Sequence, residues 1–222
     1  MYKPNDEDII SVINLIKKES ERFQNPIVTE IAGLTNDPFK VLISCLLSLR
    51  TKDMVTALAS KRLFKIADTP EKLAELSEKR IENLIYPVGF YKTKAKRIRA
   101  IAKVLIEKYN SNVPESMDEL LMLKGVGRKT AGIVMCYAYN KTESIPVDSH
   151  VHQIVNRLGW VNTKTPEKTE QALMSIIAKE YWHELNDILV KYGQNICVPI
   201  SPFCSKCVVA KYCMMVGVSR SR

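Results

Sequence analysis

Four cysteines near the C-terminal end constrain the fold of this chain more than any other feature. They follow the pattern C-x6-C-x2-C-x5-C at Cys197, Cys204, Cys207 and Cys213. A polar segment this short cannot bury an apolar core of its own, so a bound metal centre would replace the missing burial. Four thiolates this close together can enclose one such centre. The segment is therefore predicted to fold around a metal.

The spacing of the cysteines bears on which metal centre they hold. Structural zinc sites usually show two close cysteine pairs, whereas only Cys204 and Cys207 are close here. Uneven spacing suits the bulkier iron–sulfur cluster, whose four thiolates are spread more widely. The pattern favours a cluster over zinc but leaves zinc open. Two disulfides are a third reading, which requires an oxidising compartment.

The rest of the sequence argues against that compartment. The first ten residues, MYKPNDEDII, are acidic and lack the apolar stretch of a signal peptide. The longest nearly apolar run, at 41–49, is far shorter than the roughly 20 residues that cross a bilayer. We expect a soluble, intracellular, cytoplasmic and nucleoid-associated protein, in which cysteines stay reduced. Cys45 and Cys136 lie in apolar helical runs and are predicted to be core residues.

Charge indicates the kind of partner. Of 222 residues, 33 are Lys or Arg and 24 are Asp or Glu, which gives a formal net charge of +9. Such an excess favours a polyanionic partner, most often nucleic acid, although many basic proteins have none. Hydrophobic residues make up 46% of the chain, enough for the core of one large or two small domains.

The hydrophobic pattern is helical almost throughout and predicts an all-α fold. Three helix starts carry a capping residue before a proline, at Asp37-Pro38, Thr69-Pro70 and Thr165-Pro166. No segment shows sustained alternation of period two. We predict helices at 6–22, 38–49, 53–66, 70–76, 78–86, 91–109, 117–122, 128–139, 149–159, 166–179 and 182–193, with connections at 24–36, 110–115 and 140–147.

The predicted helix at 91–109 has a basic face and an apolar face. Ile98, Ile101 and Leu105 recur at helical spacing and are expected to point to the core. The opposite face carries Lys92, Lys96, Arg99 and Lys103. A solvated surface explains this stripe as well as contact with phosphates does, so both readings stay open.

A glycine hairpin is the strongest candidate for a binding site. The segment LKGVGRKTA at 123–131 connects two predicted helices, with Gly125 and Gly127 one residue apart. Glycines allow a tight turn and let backbone amides approach a ligand. The following helix N-terminus attracts anions, and Lys124 and Arg128 add positive charge. An ordinary turn between helices is the alternative. A dinucleotide-binding motif is excluded because Thr130 occupies the position of its third glycine.

Two residues near this hairpin have the chemistry of a catalytic pair. Lys129 lies in the first turn of the helix, where the helix dipole favours the neutral amine that a nucleophile needs. Asp148 precedes the next predicted helix, where it can cap the helix and also face a cleft. Taken alone, Lys129 is better explained as a solvated surface lysine, whereas the cap role of Asp148 is compatible with a catalytic one.

Together these motifs resemble those of one family. LKGVGRKTA, then IPVDSHVHQIVNRLGW at 145–160, then the cysteine pattern are similar to the endonuclease III family of helix-hairpin-helix DNA glycosylases. The similarity extends from about residue 37 to 213. It implies a monomeric protein of two helical lobes, one of six helices at 30–141 and one formed by 1–29 with 142–222. Damaged double-stranded DNA would lie across the cleft between them.

The resemblance also implies roles for individual residues. Lys129 corresponds to the Schiff-base nucleophile and Asp148 to the catalytic carboxylate of an enzyme that removes oxidised pyrimidines and nicks the strand by β-elimination. The hairpin, Lys124 through Arg128 with Val126 between its glycines, would hold a phosphate. The four cysteines would hold a [4Fe–4S] cluster.

Three further positions correspond to residues that fill the gap left by an extruded base. These are Arg50, Phe90 and, in an assisting role, His150. Arg50 stands where bacterial relatives more often carry glutamine, and Lys124 replaces the usual proline. The loop at 198–203 lacks the basic residue that binds phosphate in many relatives, a task for which Lys206 is the candidate.

Two other functions fit parts of the sequence. An adenine-mismatch glycosylase of the same superfamily would generally lack the hairpin lysine and carry an additional C-terminal domain. A non-catalytic DNA-binding module with a structural metal would need only the charge, the hairpin and the cysteines.

Overall fold

A computed structural model describes residues 6–222, and within that range the chain is helical with no β-strand. The prediction of an all-α fold is thus confirmed. Short 3₁₀ turns occupy Lys179–Tyr181, Cys204–Lys206 and Ala210–Tyr212. The α-helices are α1 (Asp6–Ser20), α2 (Ile27–Thr35), α3 (Pro38–Ser48), α4 (Asp53–Phe64), α5 (Pro70–Glu75), α6 (Glu78–Ile85), α7 (Tyr91–Tyr109), α8 (Met117–Met122), α9 (Arg128–Tyr139), α10 (Ser149–Leu158), α11 (Pro166–Ile176) and α12 (Trp182–Asn195).

The helices begin where the capping residues predict. Asp37 accepts hydrogen bonds from the backbone amides of Phe39 and Lys40 at the start of α3. Thr69 and Thr165 cap α5 and α11 in the same way, each followed by a proline. Each cap gives a partner to an amide that has none within its helix. Local sequence therefore determines these starts.

One helix was missed. The interval 24–36 was expected to be a connection, but α2 occupies most of it. Its run Ile27-Val28-Thr29 is β-branched and has low intrinsic helix propensity. Val28 and Ala32 are nevertheless buried in the same core as α3, so tertiary packing decides the outcome.

The chain divides into two compact units. The middle unit comprises residues 27–143, and the terminal unit comprises residues 1–26 with 144–222, of which 1–5 lie outside the described residues. The boundaries expected from the sequence were 30 and 142. The middle unit contains the eight helices α2 to α9, of which α5 and α8 are only six residues long.

Each unit has its own core. In the middle unit every residue from Val41 to Leu47 is buried, because α3 is surrounded by α2, α4, α7 and α9. In the terminal unit α12 packs against α1 and α10, with Ile16, Val151 and Leu185 fully buried. Cys45 and Cys136 are buried in the middle unit, as predicted. Within residues 6–222, no helix is long and apolar enough to cross a membrane.

Candidate active site and metal centre

The glycine hairpin connects α8 to α9 in the middle unit. Gly125 has a φ of 92°, a conformation that favours glycine. The amide of Val126 donates to the carbonyl of Leu123 over 2.9 Å and closes the turn, while the Val126 side chain is buried. Gly127 is extended and precedes the first residue of α9. The turn therefore leads directly into a helix N-terminus, where an anion is stabilised.

An arginine from another helix lies against this hairpin. A Cβ atom added to Gly125 would fall 2.4 Å from both Cδ and Nε of Arg97 in α7. The positive φ favours glycine at 125, and the flexible side chain of Arg97 would have to move to make room for a Cβ. Lys124, Gly127 and Arg128 are exposed around the turn, so positive charge surrounds it. Arg97 directly follows Lys96 of the basic stripe of α7, and its position against the hairpin is visible only in the tertiary structure.

Lys129 is the second residue of α9 and is partly exposed, next to the buried Thr130. Cys45 of α3 lies close enough for the charge of Lys129 to influence its thiol electrostatically. Burial raises the pKa of the Cys45 thiol to about 12, and the positive charge of Lys129 acts in the opposite direction. Lys129 therefore lies in the first turn of α9, beside the hairpin and at the edge of the core.

Asp148 caps α10 in the terminal unit and is half-buried. Its Oδ1 accepts hydrogen bonds from the amides of His150 and Val151, each over 2.9 Å. These bonds hold the carboxylate in one orientation. The side chain of His150 packs against α12, since a Cβ on Gly193 would lie 2.6 Å from its Nδ1.

Arg50 and Phe90 come together at the surface of the middle unit. The guanidinium carbon of Arg50 lies 5.7 Å from the centre of the Phe90 ring. Both residues are in the left-handed region, with φ values of 52° and 57°. Phe90 is 64% exposed, which is unusual for a phenylalanine. The pair forms a projecting aromatic and cationic tip.

The four cysteines of the C-terminal pattern line a single pocket. Ile196, Phe203, Ala210 and Val218 complete its apolar wall. All six cysteines of the chain are free thiols. Within residues 6–222, no three Cys, His, Asp or Glu side chains lie close enough to hold a single metal ion. Four thiols lining one pocket are the donor set that an iron–sulfur cluster uses.

Comparison with known proteins identifies the family. A model of the HhH-GPD superfamily of base excision DNA repair proteins matches residues 43–179. Endonuclease III of Thermotoga maritima is 47% identical over 177 residues, which cover 80% of this chain and 83% of that protein. The chain belongs to the HhH-GPD superfamily. The prediction of a base excision repair enzyme of the endonuclease III type is confirmed.

Other known proteins are similar to this chain in sequence or in fold. Endonuclease III homolog 1 of Arabidopsis thaliana is 44% identical over 81% of this chain, which spans only 49% of that longer protein. The structure of a non-covalent endonuclease III–DNA complex superposes with a TM-score of 0.86, at 30% identity, and covers 96% of each chain. A thermostable thymine-DNA glycosylase shares the fold, with a TM-score of 0.81 at 24% identity.

Two side chains donate hydrogen bonds to cysteine sulfurs in this superfamily member. Arg157 Nη1 lies 3.3 Å from Cys197 Sγ, and the same guanidinium donates to the carbonyls of Val198 and Pro199. Tyr192 donates from its hydroxyl to Cys207 Sγ over 3.2 Å. Burial raises the pKa of the Cys197 thiol, and Arg157 opposes this by favouring the thiolate. Neither donor was singled out from the sequence.

The cysteine loop at 198–203 acquires positive charge from outside its own sequence. The Arg222 guanidinium lies 4.0 Å from the centre of the Phe203 ring, and Lys206 Nζ lies 5.8 Å from it. Arg222 also donates to the carbonyl of Ser201 over 2.9 Å. Lys206 was the expected source of charge here. Arg222 is far from the loop in sequence, so only the tertiary structure reveals it.

A buried lysine was also missed, although a signal for it exists. Lys94 lies at i, i+4, i+7 and i+11 with Ile98, Ile101 and Leu105, so it belongs to the apolar face of α7. These three apolar residues are buried, as predicted, and Lys94 is only 4% exposed. On the basic face, Arg99 is partly used within the fold, where it donates to the carbonyl of Ala74. A cation among core positions is the pattern that indicates a specific role.

Proposed function

We propose that this protein is a bifunctional DNA glycosylase that removes oxidised pyrimidines and then nicks the abasic strand by β-elimination. The observation that carries the proposal is a lysine in the first turn of the helix that follows the Gly-Val-Gly hairpin, in a member of the base excision repair superfamily. Its substrate would be damaged double-stranded DNA, on which it would act as a monomer.

Binding would precede chemistry and rest on backbone contacts. The hairpin amides and the N-terminus of α9 would hold a phosphate, with Lys124 and Arg128 adding charge. The net charge of +9 supports affinity that does not depend on sequence. A target base inside the duplex cannot be reached, so the nucleotide must leave the stack. Arg50 and Phe90 would fill the gap that it leaves, since an apolar side chain can insert between bases.

Lys129 would act as the nucleophile. Its neutral amine attacks the sugar C1′ while the glycosidic bond breaks, and the base leaves with the bonding electron pair and takes up a proton. The sugar ring then opens to a protonated imine. This imine acidifies a C2′ proton, whose removal expels the 3′ phosphate and leaves a conjugated imine. Water finally hydrolyses the imine and frees the lysine.

Asp148 would act as the catalytic carboxylate. A negative charge stabilises the cationic sugar that develops as the base departs, and a carboxylate can accept and return protons in the later steps. Both hydrogen bonds that cap α10 go to the same oxygen, Oδ1. The cap thus orients the carboxylate in advance.

Cys197, Cys204, Cys207 and Cys213 would hold a [4Fe–4S] cluster. The group would supply the core that the C-terminal segment lacks, since these residues contain only short 3₁₀ turns. In this way it would position Lys206 and Arg222 beside Phe203.

Trapping of the imine tests the proposal. Borohydride reduction in the presence of abasic duplex DNA is expected to cross-link the wild type and not Lys129→Ala. Lys141→Ala is the matched control, because Lys141 follows the other end of α9 and pairs with Glu115. If Lys129→Ala cross-links as well as the wild type, the assignment of the nucleophile is wrong.

A panel of duplexes separates the remaining functions. Base release from thymine glycol together with nicking supports the proposal. Release of adenine opposite 8-oxoguanine without nicking would indicate the mismatch glycosylase instead. Binding with neither base release nor nicking on any duplex would indicate a non-catalytic module.

A further inference from the structure

We propose that Lys94 is a positioning residue that locks the loops bearing Arg50 and Phe90 into a single rigid wedge. This inference rests on the proposed function, because it concerns how the enzyme fills the gap left by an extruded base. Lys94 itself would not touch DNA, since only 4% of it is exposed. It would act entirely through the two loops.

The ammonium group of Lys94 holds the first loop, at 49–52. Its Nζ donates to the carbonyl of Leu47 over 2.7 Å, to that of Leu49 over 2.5 Å and to Thr51 Oγ1 over 3.1 Å. The two carbonyls lie at the C-terminal end of α3, where a cation is favoured. Two of the three bonds therefore go to the loop that contains Arg50, and the third goes to the last turn of α3 just before it.

The second loop, at 86–90, is held through Thr51. The amide of Gly89 donates to Thr51 Oγ1 over 3.1 Å, so that one hydroxyl contacts both Lys94 and the second loop. The loops also touch directly. A Cβ on Gly89 would lie 2.6 Å from the carbonyl oxygen of Arg50, a distance that no side chain can tolerate. Lys94, Thr51 and Gly89 thus form a continuous connection between the loops.

Burying this lysine is costly, which argues for a function beyond packing. Among the described residues, no carboxylate pairs with Lys94, whose bonds go to neutral oxygens. A buried ammonium without a counter-ion is disfavoured relative to an apolar side chain of similar length. Methionine would fill this position in an ordinary core, but it could not donate three hydrogen bonds.

The backbone conformation at Arg50 and Phe90 is the feature that Lys94 would stabilise. Arg50 and Phe90 both have positive φ, a strained conformation for a bulky residue. Such strain persists only where surrounding contacts over-determine it. In this conformation the guanidinium and the ring lie 5.7 Å apart at the surface. Without the lock, the loops would relax and the two side chains would no longer enter the duplex together.

Two reactions of the same enzyme distinguish a loss of wedge positioning from a general loss of structure. Release of thymine glycol from a duplex needs the wedge, whereas nicking of an abasic site in a single strand does not. Lys94→Met is expected to slow base release, under single-turnover conditions, by about tenfold or more. It should change single-strand nicking by less than about twofold, a difference of under 0.5 kcal/mol in barrier.

Controls exclude a loss of stability as the cause. Leu105→Ala removes a core side chain from the same helix, three turns away from the loops, and should affect both reactions equally. Thr51→Val removes the hydroxyl that contacts both Lys94 and Gly89. It should also slow base release without slowing single-strand nicking, and it provides the test if Lys94→Met folds poorly. In an Arg50→Ala/Phe90→Ala background, Lys94→Met should cause no further slowing of base release.

The inference is overturned if Lys94→Met slows both reactions alike, or if it slows the Arg50→Ala/Phe90→Ala variant as much as the wild type. Failure of the proposed function would look different, because the wild type would then perform neither reaction. In that case, the fluorescence of 2-aminopurine placed opposite the lesion still tests the role of Lys94, because it reports unstacking on binding and needs no catalysis. Wild type should raise the fluorescence on binding more than Lys94→Met does, and an equal increase would refute the role of Lys94.

Discussion

The hydroxyl of Tyr192 lies 3.2 Å from Cys207 Sγ and donates a hydrogen bond to it. Tyr192 is only 1% exposed, so water cannot compete with its hydroxyl for the sulfur. Burial and the neighbouring sulfur both raise the pKa of this tyrosine, which keeps the donor protonated. Cys207 would be a ligand of the proposed [4Fe–4S] cluster, and a hydrogen bond to such a sulfur stabilises the more negative, reduced form and so raises the reduction potential.

Replacement of Tyr192 by phenylalanine tests this relationship. The variant should fold and load the proposed cluster, because the ring still fills the core, but the reduction potential should become more negative. Voltammetry of the cluster-loaded protein measures the shift. Tyr181→Phe is the control, since Tyr181 packs against the same core without a hydrogen bond to a cysteine. An unchanged potential in Tyr192→Phe would contradict the argument.

Asp148 caps α10 and is proposed to supply a catalytic negative charge. Replacement by asparagine keeps the cap and removes the charge. Asparagine caps a helix as well as aspartate does, so Asp148→Asn should unfold at nearly the same urea concentration as the wild type. Base release should nevertheless fall by about 100-fold or more, because the charge is lost. Asp37→Asn, which changes the cap of α3, should keep full activity. Full activity in Asp148→Asn would rule out a catalytic carboxylate at this position.

The two hairpin glycines should respond differently to alanine. Gly125→Ala meets Arg97 and a positive φ, so it should lower the free energy of unfolding by about 1–3 kcal/mol. Gly127 has an ordinary φ and no atom within 4 Å of an added Cβ, so Gly127→Ala should fold like the wild type. Its methyl group would instead obstruct a phosphate, and affinity for DNA containing an abasic analogue should fall about tenfold at constant salt. If Gly127→Ala binds this DNA as tightly as the wild type does, the phosphate does not bind at Gly127.

Lys94 should make stability depend on pH. Burial lowers the pKa of Lys94 from 10.5 to about 8, and the nearby charge of Arg97 acts in the same direction. Between these two values the unfolded chain binds a proton that the folded protein does not, so stability should rise with pH. Below pH 8 both states are protonated and the contribution is constant.

The measurement is the difference in free energy of unfolding between wild type and Lys94→Met. This difference should shift in favour of the wild type as pH rises from about 8 to about 10.5. Lys103→Met serves as control, because Lys103 is exposed on the same helix. A constant difference would mean that the three hydrogen bonds from Nζ hold the proton against the effect of burial.

Sequence reasoning succeeded where the signal is local. The caps at Asp37 and Asp148, the turn at Gly125 and the cysteine pattern each depend on residues close together in the chain. It failed at α2, whose β-branched residues form a helix only because Val28 and Ala32 join a core made by distant segments. It also missed partners that come from other helices, such as Arg97 beneath Gly125.

By itself, the sequence determined every α-helix except α2, the two glycines of the hairpin, the four cysteines and the family to which they belong. Each of these depends on spacing along the chain, which backbone geometry converts directly into local structure. Only the tertiary structure decided that Lys94 bonds the carbonyl of Leu49, that Tyr192 donates to Cys207 and that Arg222 lies over the ring of Phe203. Such contacts join residues far apart in sequence, and they form because whole helices pack on one another, which no local pattern encodes.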